Sequence, residues 1–269
     1  MSDDPEPAVN ISGGEAGGGV AAEFDPATAD TEAERVVDRL GDRYWQKSYG
    51  GREALPCLVR TILSQNTSDV ASQPAHDALI ERYGGAGDLA ATLAGADRET
   101  LAETIASAGL YNQKARVIAE AAEWVVEEFG DADAFDAFVK DADPDVVRET
   151  LLGIRGVGPK TADCVLLFAG GRAGVFPVDT HVHRLYRRLG IAPPDADHEA
   201  VRAVLEADVP PEKCGFGHTA SIQFGREFCT ARSPACLDGP EACPLADLCD
   251  RVGVDPTAGE VVDPADAPE

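Results

Sequence analysis

The sequence predicts an all-α protein. Apolar residues recur at helical spacing through most of the chain, no stretch alternates as a half-buried strand would, and caps or glycines open and close the periodic segments at short intervals. Val36, Val37, Leu40 and Tyr44 share one face of a first helix over Glu34–Trp45. Leu58, Ile62 and Leu63 line a second, which runs into Ser64-Gln65-Asn66-Thr67. A third, with Ala75, Leu79 and Tyr83 inward, stops at Gly84-Gly85. Leu101, Ile105 and Ala108 make a fourth, closed by Gly109, and Val117, Ala121, Val125 and Phe129 a fifth. Asp143-Pro144 is a cap followed by proline at the first helical position, and Gly153 ends the helix it opens. Short helices with small connections make a helical bundle. Phe216–Arg226 reads as a later helix, with Cys214 a bystander before it, and Trp45 and Trp124 read as core.

At 269 residues the chain has room for one large domain or two modest ones. Its net charge of −25 is unevenly spread: residues 1–34 hold nine acids and 252–269 five, with no base in either stretch. Residues 1–30, rich in glycine and proline, and 252–269 read as disordered acidic tails. Leu151–Ala192 runs the other way, with Arg155, Lys160, Arg172, Arg184, Arg187 and Arg188 against Asp163 and Asp179. That window is the part of the chain suited to meeting phosphate. Five lysines against eighteen arginines, with the acidic tails, suggest adaptation to a salt-rich cytoplasm. The acidic start lacks the basic and apolar parts of a signal peptide, and no apolar run reaches the roughly 18 residues of a membrane span. The expectation is a soluble, cytoplasmic protein.

The most informative stretch is Leu151-Leu152-Gly153-Ile154-Arg155-Gly156-Val157-Gly158-Pro159-Lys160-Thr161-Ala162-Asp163, which reads helix, tight glycine turn, helix. Glycine allows the backbone to lie close to a ligand, and the exposed amides of a helix start form an anion site. Arg155, Gly156, Val157 and Gly158 are therefore candidates to hold a nucleic-acid phosphate, largely through main-chain N–H groups.

Seven cysteines in an intracellular chain do not suggest a disulfide framework. Cys57 and Cys164 lie on apolar helix stretches and read as core. Cys229, Cys236, Cys243 and Cys249 cluster with gaps of six, six and five residues. Four clustered thiols suit zinc or a [4Fe–4S] cluster. The five histidines are scattered and do not suggest a metal site.

Taken together, residues 33–251 resemble the endonuclease III-type DNA glycosylases of the helix-hairpin-helix superfamily. Leu63-Ser64-Gln65-Asn66-Thr67 resembles the loop whose glutamine, here Gln65, enters the gap left by an extruded nucleotide. Gly109-Leu110-Tyr111-Asn112-x-Lys114-Ala115 resembles the wedge loop, with Leu110 pressing into the opposite strand. Gly156-Val157-Gly158-Pro159-Lys160 carries the family's lysine, and Val178-Asp179-Thr180-His181 its aspartate. The family's cysteine gaps are six, two and five, so Leu237-Asp238-Gly239-Pro240-Glu241-Ala242 is four residues longer here. Asp-Gly-Pro is turn chemistry that lets the extra residues loop outward. The resemblance favours the iron–sulfur cluster over zinc, and a structural role for it in pinning Thr230–Ala235, with Arg232 toward the DNA backbone.

The resemblance implies two helical lobes flanking a cleft: a bundle over 51–170, and a cluster lobe joining 31–50 to 171–251. It implies a monomer at the nucleoid, acting on double-stranded DNA with a damaged base or an abasic site. Lys160 and Asp179 would be catalytic, and Arg184 would join Gln65, Leu110 and the hairpin at the DNA. A lysine amine attacks C1′ of the flipped nucleoside, and the Schiff base permits β-elimination. The helix dipole and nearby arginines disfavour a charged Lys160. Asp179 would accept the proton and also cap the helix that follows. The rivals are a mismatch-specific glycosylase for adenine or thymine, which Thr61 and Lys160 disfavour, and a non-catalytic hairpin DNA-binding protein.

Overall fold

A computed structural model of the chain describes residues 9–10, 22–45, 50–85 and 87–267. In chain order the strands and helices are β1 (Val9–Asn10), α1 (Glu32–Gly41), β2 (Tyr44–Trp45), α2 (Ala54–Ser64), α3 (Asp69–Tyr83), α4 (Leu89–Ala94), α5 (Arg98–Thr104) and α6 (Tyr111–Phe129). There follow α7 (Ala132–Asp141), α8 (Pro144–Leu152), α9 (Pro159–Phe168), α10 (Thr180–Arg188), α11 (His198–Asp208), α12 (Pro211–Glu227), β3 (Val254–Asp255) and β4 (Glu260–Val261). The protein is all-α, its strands two-residue pairs: β1 beside β2 and β3 beside β4. No helix among the described residues is long and apolar enough to cross a membrane.

The chain divides into two units. One is Tyr49–Arg172, built around α2. Leu55, Leu58, Val59, Ile62 and Leu63 of that helix are buried, and it packs on α3, α6, α7 and α9. Cys57 and Cys164 are buried there, the Cys57 thiol 4.0 Å from the Cys164 carbonyl. Trp124, half-buried, joins Phe129 and Phe135 in an aromatic cluster where α6 meets α7.

The other unit joins Gly19–Ser48 to Ala173–Glu269. The first helix lies earlier than the apolar pattern suggested, because Thr31 caps it by accepting from the Glu34 amide. It packs along α12, where Lys213 Nζ lies 2.7 Å from both Glu34 Oε1 and Asp38 Oδ1. A Cβ at Gly217 would lie 2.6 Å from the Phe176 ring, so glycine allows that approach. Cys214 lies inside α12, fully buried, since the helix starts at Pro211 rather than at Phe216.

Both expected tails differ in their described parts. Residues 1–8, 11–21 and 268–269 lie outside the described residues, as does the side chain of Trp45. Phe24, however, packs against Phe216 with ring centroids 4.3 Å apart and the rings tilted by 41°. After residue 252 the chain forms the β3–β4 hairpin and a 3-10 turn over Pro264–Asp266. The cause is Arg187: its guanidinium is buried and pairs with Asp263 at 2.5 Å, while the Val252 amide donates to the Arg188 carbonyl. A nearby anion stabilises a buried cation, and this acidic segment supplies one.

Candidate active site

In the unit over Tyr49–Arg172, the hairpin is built as its sequence indicates. Asp143 caps α8 through its carboxylate, Gly153 ends the helix, and Gly158 begins α9 with Pro159 at its first position. Gly156 has φ 87°, and a Cβ there would lie 2.8 Å from Val117 of α6. Both the conformation and the approach demand glycine. Arg155 is exposed, 3.8 Å from Glu120 on α6. Val157 is buried, so its contribution to an anion site is its main chain. Lys160 lies half-buried in the first turn of α9.

Two further loops converge on α6 and the hairpin. Gln65 Nε2 donates to the Thr161 hydroxyl at 3.1 Å and to the Gly156 carbonyl at 3.3 Å. Thr67 Oγ1 donates to the Ala108 carbonyl at 2.6 Å, tying this loop to the 3-10 turn before Leu110. Leu110 has φ 47° and Asn66 φ 52°, left-handed conformations that ordinary side chains disfavour. Leu110 is 58% exposed and Tyr111 42%. Sequence reading gave no role to Lys114, which is buried behind these loops. A signal was present: Lys114 shares a helical face with Val117, Ile118 and Ala121, where an apolar residue is expected.

In the other unit, Asp179 caps α10, Oδ1 accepting from the amides of His181 and Val182 at 2.8 and 2.9 Å. Its Oδ2 makes no hydrogen bond among the described residues. Arg184, expected at DNA from its place in the basic window, is turned inward instead. Its guanidinium donates to the carbonyls of Cys229, Thr180 and Gly225 and contacts His181 Nδ1. The same correction applies to Arg172, bound to the carbonyls of Val139 and Ala142, and to Arg187 and Arg188, both buried. The basic window is therefore mostly scaffold, because arginine carries several donors that can satisfy main-chain carbonyls. His183 and His198, scattered in sequence, stack with ring centroids 4.1 Å apart.

Cys229, Cys236, Cys243 and Cys249 line one pocket, with Phe224 and Leu245 in its apolar wall. The lengthened middle gap folds as two 3-10 turns, Ala235–Asp238 and Pro240–Ala242, hinged at Gly239 with φ 122°. Asp238, Pro240 and Glu241 are exposed, so the insertion loops outward while Cys236 and Cys243 still face the pocket. No group of three or more His, Cys, Asp or Glu side chains among the described residues converges as ligands of a single ion. Four thiols around one cavity supply the one thiolate per iron that a [4Fe–4S] cluster takes. Burial pushes the thiols of Cys236, Cys243 and Cys249 up, Cys249 to about 12, so thiolates here need a positive partner. Arg188 Nη1, 3.5 Å from Cys229 Sγ, and the Arg251 amide, 3.3 Å from Cys249 Sγ, are donors suited to metal-bound sulfur.

Residues 59–211 match the family described as the HhH-GPD superfamily of base excision DNA repair proteins. The chain belongs to that family. Residues 229–249 match the iron–sulfur binding domain of endonuclease III, a match that begins and ends on the outer two of the four cysteines. Endonuclease III of Thermotoga maritima is 34% identical over 196 residues, 72% of this chain and 81% of the relative. Endonuclease III of Bacillus subtilis is 30% identical, covering 81% of this chain and 91% of the relative. A trapped endonuclease III–DNA covalent intermediate superposes with a TM-score of 0.62 at 29% identity, covering 76% of this chain and 86% of that one. This HhH-GPD member is a DNA-binding DNA glycosylase/AP lyase of base excision repair with a [4Fe–4S] site.

Proposed function

We propose that this glycosylase, as a monomer on the nucleoid, excises oxidised or ring-saturated pyrimidines from double-stranded DNA and cuts abasic sites through Lys160. The observation that carries the reading is the division of labour at Asp179: one carboxylate oxygen caps α10 while the other makes no hydrogen bond among the described residues. The cap aims the carboxylate; the second oxygen is left for the reaction.

The chemistry follows from those groups. The neutral Lys160 amine attacks C1′, and the C1′–N bond breaks with its electron pair leaving on the base. Asp179 Oδ2 takes the proton that the amine sheds and returns it to O4′ as the C1′–O4′ bond breaks, the nitrogen lone pair forming the C1′=N bond of the Schiff base. Loss of a C2′ proton to water then forms the C2′=C3′ bond and expels the 3′ phosphate with the C3′–O electron pair. The hairpin amides hold phosphate near the reacting nucleotide, Gln65 fills the vacated stack, and Leu110 wedges the opposite strand. Cys229, Cys236, Cys243 and Cys249 would hold the [4Fe–4S] cluster, whose role would be to pin the loop Thr230–Ala235. Arg232 on that loop is exposed and available to the DNA backbone. The covalent intermediate of the endonuclease III relative supports a covalent route here.

The test is an assay in high salt on duplexes bearing thymine glycol, uracil, an abasic site or an A·8-oxoguanine mismatch, scoring base loss and nicking separately. Base loss at thymine glycol and nicking at the abasic site are expected. Lys160→Gln abolishes nicking and the borohydride-trapped adduct; a normal adduct yield in that variant overturns the assignment.

A further inference from the structure

Lys114 is 4% exposed, yet no ion pair to it is found among the described residues. Its ammonium carries three N–H donors, and each has an oxygen: the Leu63 carbonyl at 2.7 Å, Thr67 Oγ1 at 2.7 Å and the Ala108 carbonyl at 2.9 Å. Burial holds the lysine below its ordinary range. A buried cation met only by neutral oxygens is a costly choice for simple packing. A leucine or methionine would fill an apolar helix face without that cost.

What the three oxygens share is position. Leu63 and Thr67 flank Gln65 and the left-handed Asn66, while Ala108 precedes Gly109 and the left-handed Leu110. Strained backbone of this kind persists only where its surroundings fix it. Gln65 is in turn bonded to Gly156 and Thr161, and Thr67 donates to Ala108 while accepting from Lys114, so hydrogen bonds tie the loop of Gln65 and Thr67 to the hairpin on one side and to the turn before Leu110 on the other. The hairpin also rests on α6, where Val117 meets Gly156 one turn beyond Lys114.

We infer that Lys114 is a positioning residue that locks the Gln65 loop and the Leu110 loop into one rigid unit, so that gap filling and strand wedging occur together at a damaged site. This rests on the reading of Gln65 and Leu110 given above. Lys114 does not touch DNA; it sets the distance between two groups that do.

The experiment compares binding to a duplex carrying a tetrahydrofuran abasic analogue with binding to the same duplex undamaged, well below the melting temperature of each variant. A 2-aminopurine opposite the analogue reports on the wedged strand. Lys114→Met is expected to lower the damaged-over-undamaged preference about tenfold, to leave undamaged binding within about twofold, and to reduce the 2-aminopurine signal. In a Gln65→Ala, Leu110→Ala background it should add less than about twofold, because the groups it positions are gone. If Lys114→Met keeps the preference while Leu110→Ala loses it, the loop assignment stands and the positioning role fails. An equal loss on both duplexes also overturns the role. If Gln65→Ala and Leu110→Ala both keep the preference, the loop reading itself fails and the inference with it. Should Lys114→Met not fold, Thr67→Val removes one of the three oxygens; the same direction of change is expected, and an unchanged preference overturns the proposal.

Discussion

The side-chain amide of Gln65 donates to the hydroxyl of Thr161, 3.1 Å away, one residue beyond Lys160. The group proposed for the vacated stack is thereby tied to the helix that carries Lys160. Thr161→Val removes the acceptor with little change of shape. It is expected to weaken binding to an abasic-analogue duplex about threefold to tenfold, consistent with one hydrogen bond of about 1 kcal/mol. Thermal melting and a binding titration check it, and unaltered affinity counts against the link.

Asp179 separates two roles by substitution. Asparagine caps a helix about as well as aspartate, whereas alanine costs about 1 kcal/mol. Asp179→Asn should therefore melt close to the parent while losing about 100-fold or more in single-turnover base release, since it cannot take a proton. Asp179→Ala should lose both. If Asp179→Asn retains turnover, the carboxylate is only a cap.

The cluster pocket predicts bound iron and tolerance of its extra loop. The purified protein should absorb near 400 nm and hold about four iron atoms per chain. Deleting Asp238–Glu241, mostly exposed in the loop between two cysteines that face one pocket, should leave iron content unchanged. Cys243→Ala should lose it. An iron-free parent protein carrying zinc would overturn the cluster.

The buried triad of Lys213, Glu34 and Asp38 joins α1 to α12. Lys213→Met leaves two buried carboxylates without their cation, a loss of about 3–5 kcal/mol. Lys213 holds Glu34 below the usual carboxylate range. The stability Glu34 contributes is thus present above its unfolded value and is lost as pH falls through the lowered folded one. Denaturant unfolding should show Lys213→Met far less stable than the parent at neutral pH, the gap narrowing in acid. A gap independent of pH would contradict this account.

Local signals made much of this protein legible. Apolar periodicity, the Asp143-Pro144 start, the glycine turn before Lys160 and the carboxylate at the head of α10 each act within a few residues. The spacing of four cysteines survived an insertion because turn residues carry it outward. The helices α4, α7 and α11 escaped notice although Asp88, Asp131 and Asp197 cap them. Each buries only two residues, such as Ala90 and Leu93, too narrow a stripe to stand out.

Side-chain destinations were decided by the tertiary structure. Arg184 meets Cys229, Arg187 meets Asp263, and Lys114 meets Leu63 across 45, 76 and 51 residues of chain. Nothing local tells a cation bound for phosphate from one that will satisfy a distant carbonyl or carboxylate. Periodicity and caps follow from the geometry of neighbouring residues. The partner of a long charged side chain is set by which oxygens folding leaves buried within its reach.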